Sequence, residues 1–584
     1  MESCWLTVPP KLSCLLSKPG ALSISKGIPL SEEPGLGTLT LPGFLRDVTT
    51  RFADREALVM RTPEGVERWT YAMLWERAIE VARALLAAGV GKDSRVGVMM
   101  TNRPEWIAAF FGIGLAGGVA VTLSTFSTPP ELEYLLQASG VSILLFERTV
   151  LKKDFAAMLG ELEPQIHTAP PGALASTRFP FLRRLAAVGN APESGRATQG
   201  GAIESWADFL AHGAATARAL VDATAATVAP ANCGALFFSS GSTSKPKGIL
   251  GSHRQVAIQC WRWRRMLGLA DDVRCWSANG FFWSGNFGMA LGATFASGGS
   301  LVLQPTFIAA EALELMQAER ATLAHAWPHQ WAQLVAAPNW SQVDLSSLHY
   351  VDVNGPAAGH PTVSTDWTEP RWAYGNTETF TLSVAFPSGT PSDIAGESHG
   401  EPLPGNTLKI VDPQTGAVVL RGERGEIAVK GPTLMLGYIG VPIDETLDEE
   451  GFFRTGDGGY MDETGRLFWE GRLTDIIKTG GANVSPLEID GVLATYPGVK
   501  IGRTVGVPHD TLGEIVVTCI VPHADAVLDE AAVRDFLKQQ LASYKVPRRV
   551  LFFREDELSL TGNAKVKSGV LRELAAKRLS AKGQ

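Results

Sequence analysis

Between Ser239 and Gly248 the chain reads SSGSTSKPKG, a run of hydroxyls, glycines and two lysines with almost nothing to bury. Ser239, Ser240, Ser242 and Thr243 offer hydroxyls, Gly241 and Gly248 let backbone N–H groups come close to a ligand, and Lys245 and Lys247 add positive charge. Together these groups suit the oxygens of a phosphate chain. The segment follows CGALFFS, an apolar run of strand length, and precedes SHRQVAIQCWRWRRM, where apolar residues recur at helical spacing after a candidate N-cap at Ser252. The expected arrangement is a loop leading from a strand into a helix. Pro246 stands where a Walker A loop needs glycine, which excludes that version of the motif. Taken alone, the segment reads equally well as a plain Ser/Gly-rich turn.

Three later segments shift that balance: YGNTET from Tyr374, FFRTGDGGYMDETGRLFWEGRLTDIIKTGGANVSPLEID from Phe452, and LSLTGNAKVKSGVLRE from Leu558. In this order the four segments resemble the adenylate-forming superfamily, which contains acyl- and aryl-CoA synthetases, the adenylation domains of peptide synthetases, and luciferases. Agreement of several spaced motifs is far less prone to chance than agreement of one.

The resemblance implies ATP, Mg2+ and coenzyme A as partners of a small-molecule carboxylic acid. A carboxylate is a poor electrophile because its leaving group would be oxide; ATP converts it to an acyl-adenylate with loss of pyrophosphate, and a thiol then attacks. Catalysis of this kind rests on positioning and on neutralising charge that builds on oxygen. By resemblance, Ser239–Gly248 wraps the β- and γ-phosphates, with Ser240, Ser242, Thr243 and Lys247 as contacts. Tyr374 lies against adenine, with Gly375 and Asn376 in the same cradle; Thr377 reaches the α-phosphate, and Glu378 holds the metal, as suits a hard cation. Asp457 accepts from the ribose hydroxyls and Arg472 donates to ribose or phosphate. Lys565 bridges the acid and the α-phosphate, so Lys565, Thr243 and Glu378 are the expected catalytic groups. Thr474 is the expected hinge, and Gly480 and Gly481 let a pantetheine arm pass close to backbone. Without the motifs each has a blander reading: a solvated loop acid, a turn aspartate, a surface arginine, or one lysine of a tail that also holds Lys567, Lys577 and Lys582.

For the acid itself, Phe282, Trp283, Trp327, Asn354 and Gly355, the last two at the end of a VDVNG strand, are the expected pocket lining. Trp283 falls where many relatives carry an aromatic gate histidine, and aromatic walls suit an apolar acid. Phe281 and Phe282 read equally well as ordinary core. The chain departs from the superfamily pattern at Ser244 and Ala564, where glycine is usual, and at Thr474, where the hinge residue is usually charged. The expected activity is activation of a medium- or long-chain fatty acid, or an apolar ring carboxylate, followed by thioester formation with CoA. Loading of a carrier-protein thiol and a degenerate nucleotide-binding relative without turnover are the alternatives.

Positioning such groups takes a large scaffold. YAMLWERAIEVARALLAAG and EWIAAFFGIGLAGG read as helices, RVGVMM and VAVTL as strands, an alternation typical of parallel sheets with crossover helices. The stretch WIAAFFGIGLAGGVAVTL is interrupted by four glycines and reads as a buried helix turning into a buried strand rather than a membrane span. YMDETGRLFW reads as a hairpin linking Asp457 to Arg472. The fold class is α/β: a loosely ordered extension over 1–40, a large multi-sheet domain over 41–472, and a small mobile α+β domain over 473–584. A chain of 584 residues exceeds what one core usually serves. A net charge of -8 without a long basic run argues against a nucleic acid polymer as partner. Six cysteines with no C-x-x-C pair suggest neither a zinc ribbon nor a disulfide framework, which fits a reducing, cytoplasmic setting. Peripheral membrane contact and oligomeric state stay open.

Overall fold

The computed structural model describes residues 20–63, 65–189, 201–239, 246–370, 372–479, 482–509, 512–541, 545–558 and 568–582. Ser240, Gly241, Ser242, Thr243, Ser244, Lys245, Gly480, Gly481, Ala564 and Lys565 lie outside the described residues.

Short runs that are apolar on both faces need cover on both sides, and here parallel strands receive it from helices. Ile203–Ser205, Arg184–Val188, Ile143–Glu147, Arg95–Met99, Val119–Thr122 and Cys233–Ser239 form the parallel part of an eight-stranded sheet. Its far edge turns antiparallel, with Lys247–Ser252 beside Cys233–Ser239 and Gly437–Tyr438 beside Lys247–Ser252. In a second sheet, Leu323–His325, Arg274–Ser277, Ser300–Leu303 and Glu56–Thr62 run parallel, and Gly65–Thr70 closes the edge antiparallel. One core cluster joins the two sheets, holding Val96, Val98 and Phe237 of the first and Leu58, Cys275 and Leu301 of the second. Helix Pro104–Leu115 is buried along nearly its whole length within it, as expected of a helix apolar on every side. Its Trp106 and Phe110 rings stack at 5.3 Å, and Phe110 meets Phe287 at 4.5 Å. Among the described residues no helix is long and apolar enough to cross a membrane.

Residues 20–40 belong to the fold rather than to a loose extension. Ile24–Lys26 pairs antiparallel with Thr407–Val411, and Glu33 grips the fully buried Arg262 through two hydrogen bonds of 2.8 Å. The polar composition of this segment concealed that anchor, because both partners of a buried ion pair read as surface residues when seen singly. The strand Ile24–Lys26 edges a third sheet, antiparallel throughout, that continues through Thr407–Val411, Gly425–Lys430, Phe453–Met461 and Leu467–Arg472.

Beyond Arg472 lies a smaller sheet built around the long pair Val499–His509 and Gly513–Pro522, with Ile477–Thr479 and Arg549–Phe552 also pairing with Gly513–Pro522. Alternation along Gly513–Pro522 sends Val516 and Ile520 to one side, where they pack with Ile489, Leu493, Val533 and Leu537 of helices Pro486–Leu493 and Glu530–Gln540. Val517, Cys519 and Val521 face the other way, against Leu571 and Ala575 of helix Ser568–Lys582.

Candidate active site

The hairpin expected from YMDETGRLFW is present. Asp462 Oδ1 accepts from the N–H groups of Thr464 and Arg466, both at 2.9 Å, and Gly465 takes a positive φ of 90°, so the turn is fixed by its own residues. Further along, the register shifts by one residue, with Gly459 paired to Trp469 and Gly458 to Gly471, and this bulge at Glu470 brings Asp457 across from Arg472. Asp457 is 3% exposed. Its Oδ2 accepts from the Tyr374 hydroxyl at 2.8 Å, and its Oδ1 lies 3.0 Å from Arg472 Nε. Arg472 also donates to the Thr455 carbonyl at 2.8 Å. Burial pushes the Asp457 carboxyl up from its ordinary value, with Arg472 and the Tyr374 hydroxyl opposing. Burial, aided by Asp457, drives the Tyr374 phenol well above its own. Although Arg472 stands beside it, Oδ1 completes no hydrogen bond among the described residues. A buried acceptor in that condition is costly unless a ligand donor fills it. Tyr374 is itself buried, so it serves Asp457 through its hydroxyl rather than offering an open ring face.

A second cluster stands at the other end of the YGNTET motif. Asn376 closes the turn by accepting from Thr379 N–H at 3.0 Å, and the half-buried Glu378 receives the Tyr438 hydroxyl on Oε1 at 2.7 Å. The ammonium of Lys247 sits 5.0 Å from the Tyr438 ring. Burial, reinforced by Glu378, raises the Tyr438 phenol, and the charge of Glu378 reaches Asp457 as that of Arg472 reaches Tyr438, so the clusters share one electrostatic field. Thr377 lies partly buried in the same turn, and Gly375 is exposed.

The stem of the SSGSTSKPKG segment differs from expectation. Ser239 pairs with Lys247 at the mouth of an antiparallel hairpin, so the loop connects two strands, and helix His253–Met266 begins only after the second. Ser252 is the N-cap, its hydroxyl accepting from Gln255 N–H at 3.2 Å. KGILGS, with two glycines and no clean alternation, gives a weak strand signal that its neighbours complete. Phosphate binding by this helix's N-terminus therefore falls away, and the hairpin loop with Lys247 is what remains. Gly248 packs closely against Ile439, whose Cδ1 would stand 2.9 Å from a Cβ there and would have to shift.

Of the expected pocket residues, Phe282 and the half-buried Trp283 stand together with ring centroids 5.2 Å apart, and the exposed Phe126 meets Phe282 at 5.9 Å. Phe281 belongs to the core, tilted against Trp106. VDVNG is a turn rather than a strand end: Asp352 Oδ1 accepts from Asn354 N–H at 2.7 Å and its carbonyl accepts from Gly355 N–H at 2.7 Å, which leaves Asn354 exposed. Among the described residues no ring contact or hydrogen bond joins Trp327, Asn354 or Gly355 to the Phe282–Trp283 pair. Thr474 is exposed in a turn where the Arg472 carbonyl accepts from Asp475 N–H at 2.9 Å and Ile476 N–H at 3.1 Å. Tyr438 and Phe126 escaped sequence reasoning. Tyr438 is brought in by strand pairing with Lys247–Ser252, a non-local event with no motif of its own.

Residues 45–439 match the AMP-binding enzyme family and residues 488–565 its C-terminal domain. The chain belongs to this family, as an AMP-forming acid:CoA ligase of the adenylate-forming superfamily. It is 30% identical to a methyl-dioxo-octahydroindenyl-propanoyl:CoA ligase of Mycobacterium tuberculosis, over 92% of this chain and 99% of that one. It is 27% identical to a mitochondrial medium-chain acyl-CoA ligase of Rattus norvegicus, over 90% and 85% of the two chains. The structure of ATP-bound MatB from Rhodopseudomonas palustris superimposes with a TM-score of 0.72 at 25% identity, covering 92% of this chain and 99% of that one.

Proposed function

We propose that the enzyme adenylates a medium- or long-chain fatty acid or an apolar ring carboxylate, and that ATP lies between the Tyr374–Asp457–Arg472 cluster and the Glu378–Tyr438–Lys247 cluster. The observation that carries this reading is Asp457 Oδ1, a buried acceptor beside an arginine with no hydrogen bond of its own among the described residues. Ribose hydroxyls are donors of the right kind, and Arg472 stands ready to shift its guanidinium toward ribose or phosphate.

The acid's oxygen attacks the α-phosphorus, forming an acyl–phosphate bond as the bond to pyrophosphate breaks. The thiol then gives up its proton to solvent, its sulfur bonds to the acyl carbon, and the acyl carbon–oxygen bond breaks so that AMP leaves with the electron pair. Lys247 at the hairpin mouth and the hydroxyls of Ser239, Ser240, Ser242 and Thr243 hold the β- and γ-phosphates, with Lys245 adding charge. Thr377 stands at the α-phosphate. Lys565 supplies the ammonium that draws the two anions together. For Ser240, Ser242, Thr243, Lys245 and Lys565 the support is the sequence motif alone. Glu378 is the residue that would hold Mg2+: Tyr438 occupies one oxygen, and a cation that keeps several waters and takes phosphate ligands needs few protein groups. When bound, Mg2+ neutralises charge on the phosphate oxygens.

The Phe282–Trp283 pair and Phe126 make the aromatic wall that supports an apolar acid, and the named substrates of the ring-acid and medium-chain relatives lie in that range. We divide the chain at Arg472, with Thr474 as the hinge about which residues 473–584 swing between half-reactions, bringing Gly480 and Gly481 toward the pantetheine arm. The hinge turn touches the last helix, Ser568 Oγ donating to Asp475 Oδ2 at 3.3 Å. The four described cysteines are free thiols, which supports a reducing compartment of the cytoplasmic type.

Release of AMP across a panel of carboxylic acids, with and without CoA, tests the reading. AMP and thioester should rise with apolar acids of medium length or with ring acids. Equal turnover of short, charged acids would overturn the substrate assignment.

A further inference from the structure

Helix His253–Met266 carries polar side chains at i, i+4 and i+8 on one buried face: Gln255, Gln259 and Trp263. Gln255 Nε2 donates to the Glu378 carbonyl at 2.9 Å. Gln259 Nε2 donates to the carbonyls of Thr379 at 3.1 Å and Leu382 at 2.7 Å. Trp263 Nε1 donates to Thr381 Oγ1 at 2.8 Å. Both glutamines are wholly buried, and their own Oε1 atoms complete no hydrogen bond among the described residues. Burying an amide is unfavourable beside an apolar side chain of similar size, so these two serve here as donors.

The segment they hold does not relax into an ordinary turn. Phe380 and Thr381 take φ of 47° and 92°, left-handed values that side-chain-bearing residues avoid and a β-branched one most of all. Gly375 lets this backbone fold back on the start of the motif, since a Cβ there would stand 1.7 Å from the Thr381 carbonyl oxygen. Such a conformation persists only where its surroundings over-determine it. The glutamines do so from one side, and Met435 N–H, donating to the Glu378 carbonyl at 2.7 Å, does so from the other. The same helix begins directly after strand Lys247–Ser252, so one rigid element ties the stem of the phosphate loop to the turn that carries Glu378.

We propose that Gln255 and Gln259 are positioning residues for nucleotide activation, clamping the Asn376–Leu382 turn so that the Glu378 carboxylate stands at a fixed place relative to the Lys247 hairpin. This inference rests on the reading of Glu378 as the metal-side carboxylate. The clamp acts on backbone carbonyls and touches neither nucleotide nor acid. Its loss therefore affects the metal-dependent part of ATP binding more than the part due to adenosine.

The test is equilibrium titration calorimetry of the full chain with ATP in Mg2+ and with ATP in EDTA, the readout being the ratio of the two affinities. Gln259→Met, which removes both donations to the turn, should weaken Mg-ATP about tenfold, within what the net loss of two buried hydrogen bonds converts to, while metal-free ATP changes less than about twofold. Gln255→Asn, which keeps the amide and shortens its reach, is the milder second variant and should move the ratio the same way. Trp261→Phe is the structural control: on the same helix its Nε1 donates to the Thr38 carbonyl at 3.2 Å and its ring packs on Phe44, so it should lower stability without changing the ratio. Glu378→Gln separates the two readings. If it leaves the ratio unchanged, the role of Glu378 fails. If it collapses the ratio while Gln259→Met and Gln255→Asn hold the wild-type value, the clamp is refuted.

Discussion

Replacing Tyr374 by phenylalanine removes one atom from a buried cluster, and its effect can be worked out. The lost hydroxyl donates to Asp457 Oδ2 at 2.8 Å, and a hydrogen bond to a charged group contributes about 1.5–3 kcal/mol. Oδ1 already lacks a hydrogen bond, so the variant leaves both oxygens of a 3% exposed carboxylate dependent on Arg472. At ~1.4 kcal/mol per decade, kcat/KM for ATP should fall between about tenfold and about 150-fold. The acid limb of the pH profile should move as well. In the proposed reading Asp457 accepts from ribose as a carboxylate, and its folded-state value is already raised by burial, so activity should be lost as pH falls through that value. The Tyr374 hydroxyl lowers the value; without it the carboxyl rises further and the limb shifts to higher pH. ATP–pyrophosphate exchange measured from pH 5 to 9 reads both effects. An unshifted acid limb with kcat/KM within twofold of wild type would refute the reasoning.

Glu33→Ala should destabilise the large domain by about 3–5 kcal/mol, because it strands the fully buried guanidinium of Arg262; urea unfolding of Glu33→Ala against the double variant Glu33→Leu/Arg262→Met, which should recover most of the loss, checks this. In the small domain, burial pushes the Asp490 carboxyl from 3.8 up to about 7 against the pull of Arg503. A raised folded-state value means the group's contribution is fully present below pH 3.8 and lost as pH rises through about 7. Asp490→Asn should therefore stabilise this domain at pH 8 by up to ~4 kcal/mol and by clearly less at pH 5, as denaturant midpoints at the two pH values would show. Trp283→Ala opens the aromatic wall beside Phe282, and the acid panel should then show kcat/KM shifting toward bulkier acids by about tenfold, a change in preference rather than a uniform loss.

What was legible in the sequence was local. Helix Pro104–Leu115 announced itself by a largely apolar run, and the hairpin joining Asp457 to Arg472 by a turn that Asp462 and Gly465 specify, whereas the bulge at Glu470 that sets the two residues opposite each other has no mark in the sequence. What stayed hidden depends on distant strands meeting. Strand Lys247–Ser252 has too weak a pattern to declare itself and is made by its partners on both sides, so the phosphate segment read as a lead into a helix. Tyr438 arrives with that same pairing. The Glu33–Arg262 pair was hidden because nothing near either residue in the sequence names the other. The aromatic run Phe281–Trp283 could not be divided from sequence; the fold assigns Phe281 to the core with Trp106 and sets Phe282 between Trp283 and Phe126.

The most direct measurement is a crystal structure of the full chain with Mg-ATP and an unreactive analogue of an apolar acid. The account predicts the ribose hydroxyls within hydrogen-bond reach of Asp457 Oδ1, and the phosphates running from Arg472 toward Lys247 and Glu378. A nucleotide bound with its ribose away from Asp457, leaving Oδ1 as it stands now, would contradict it.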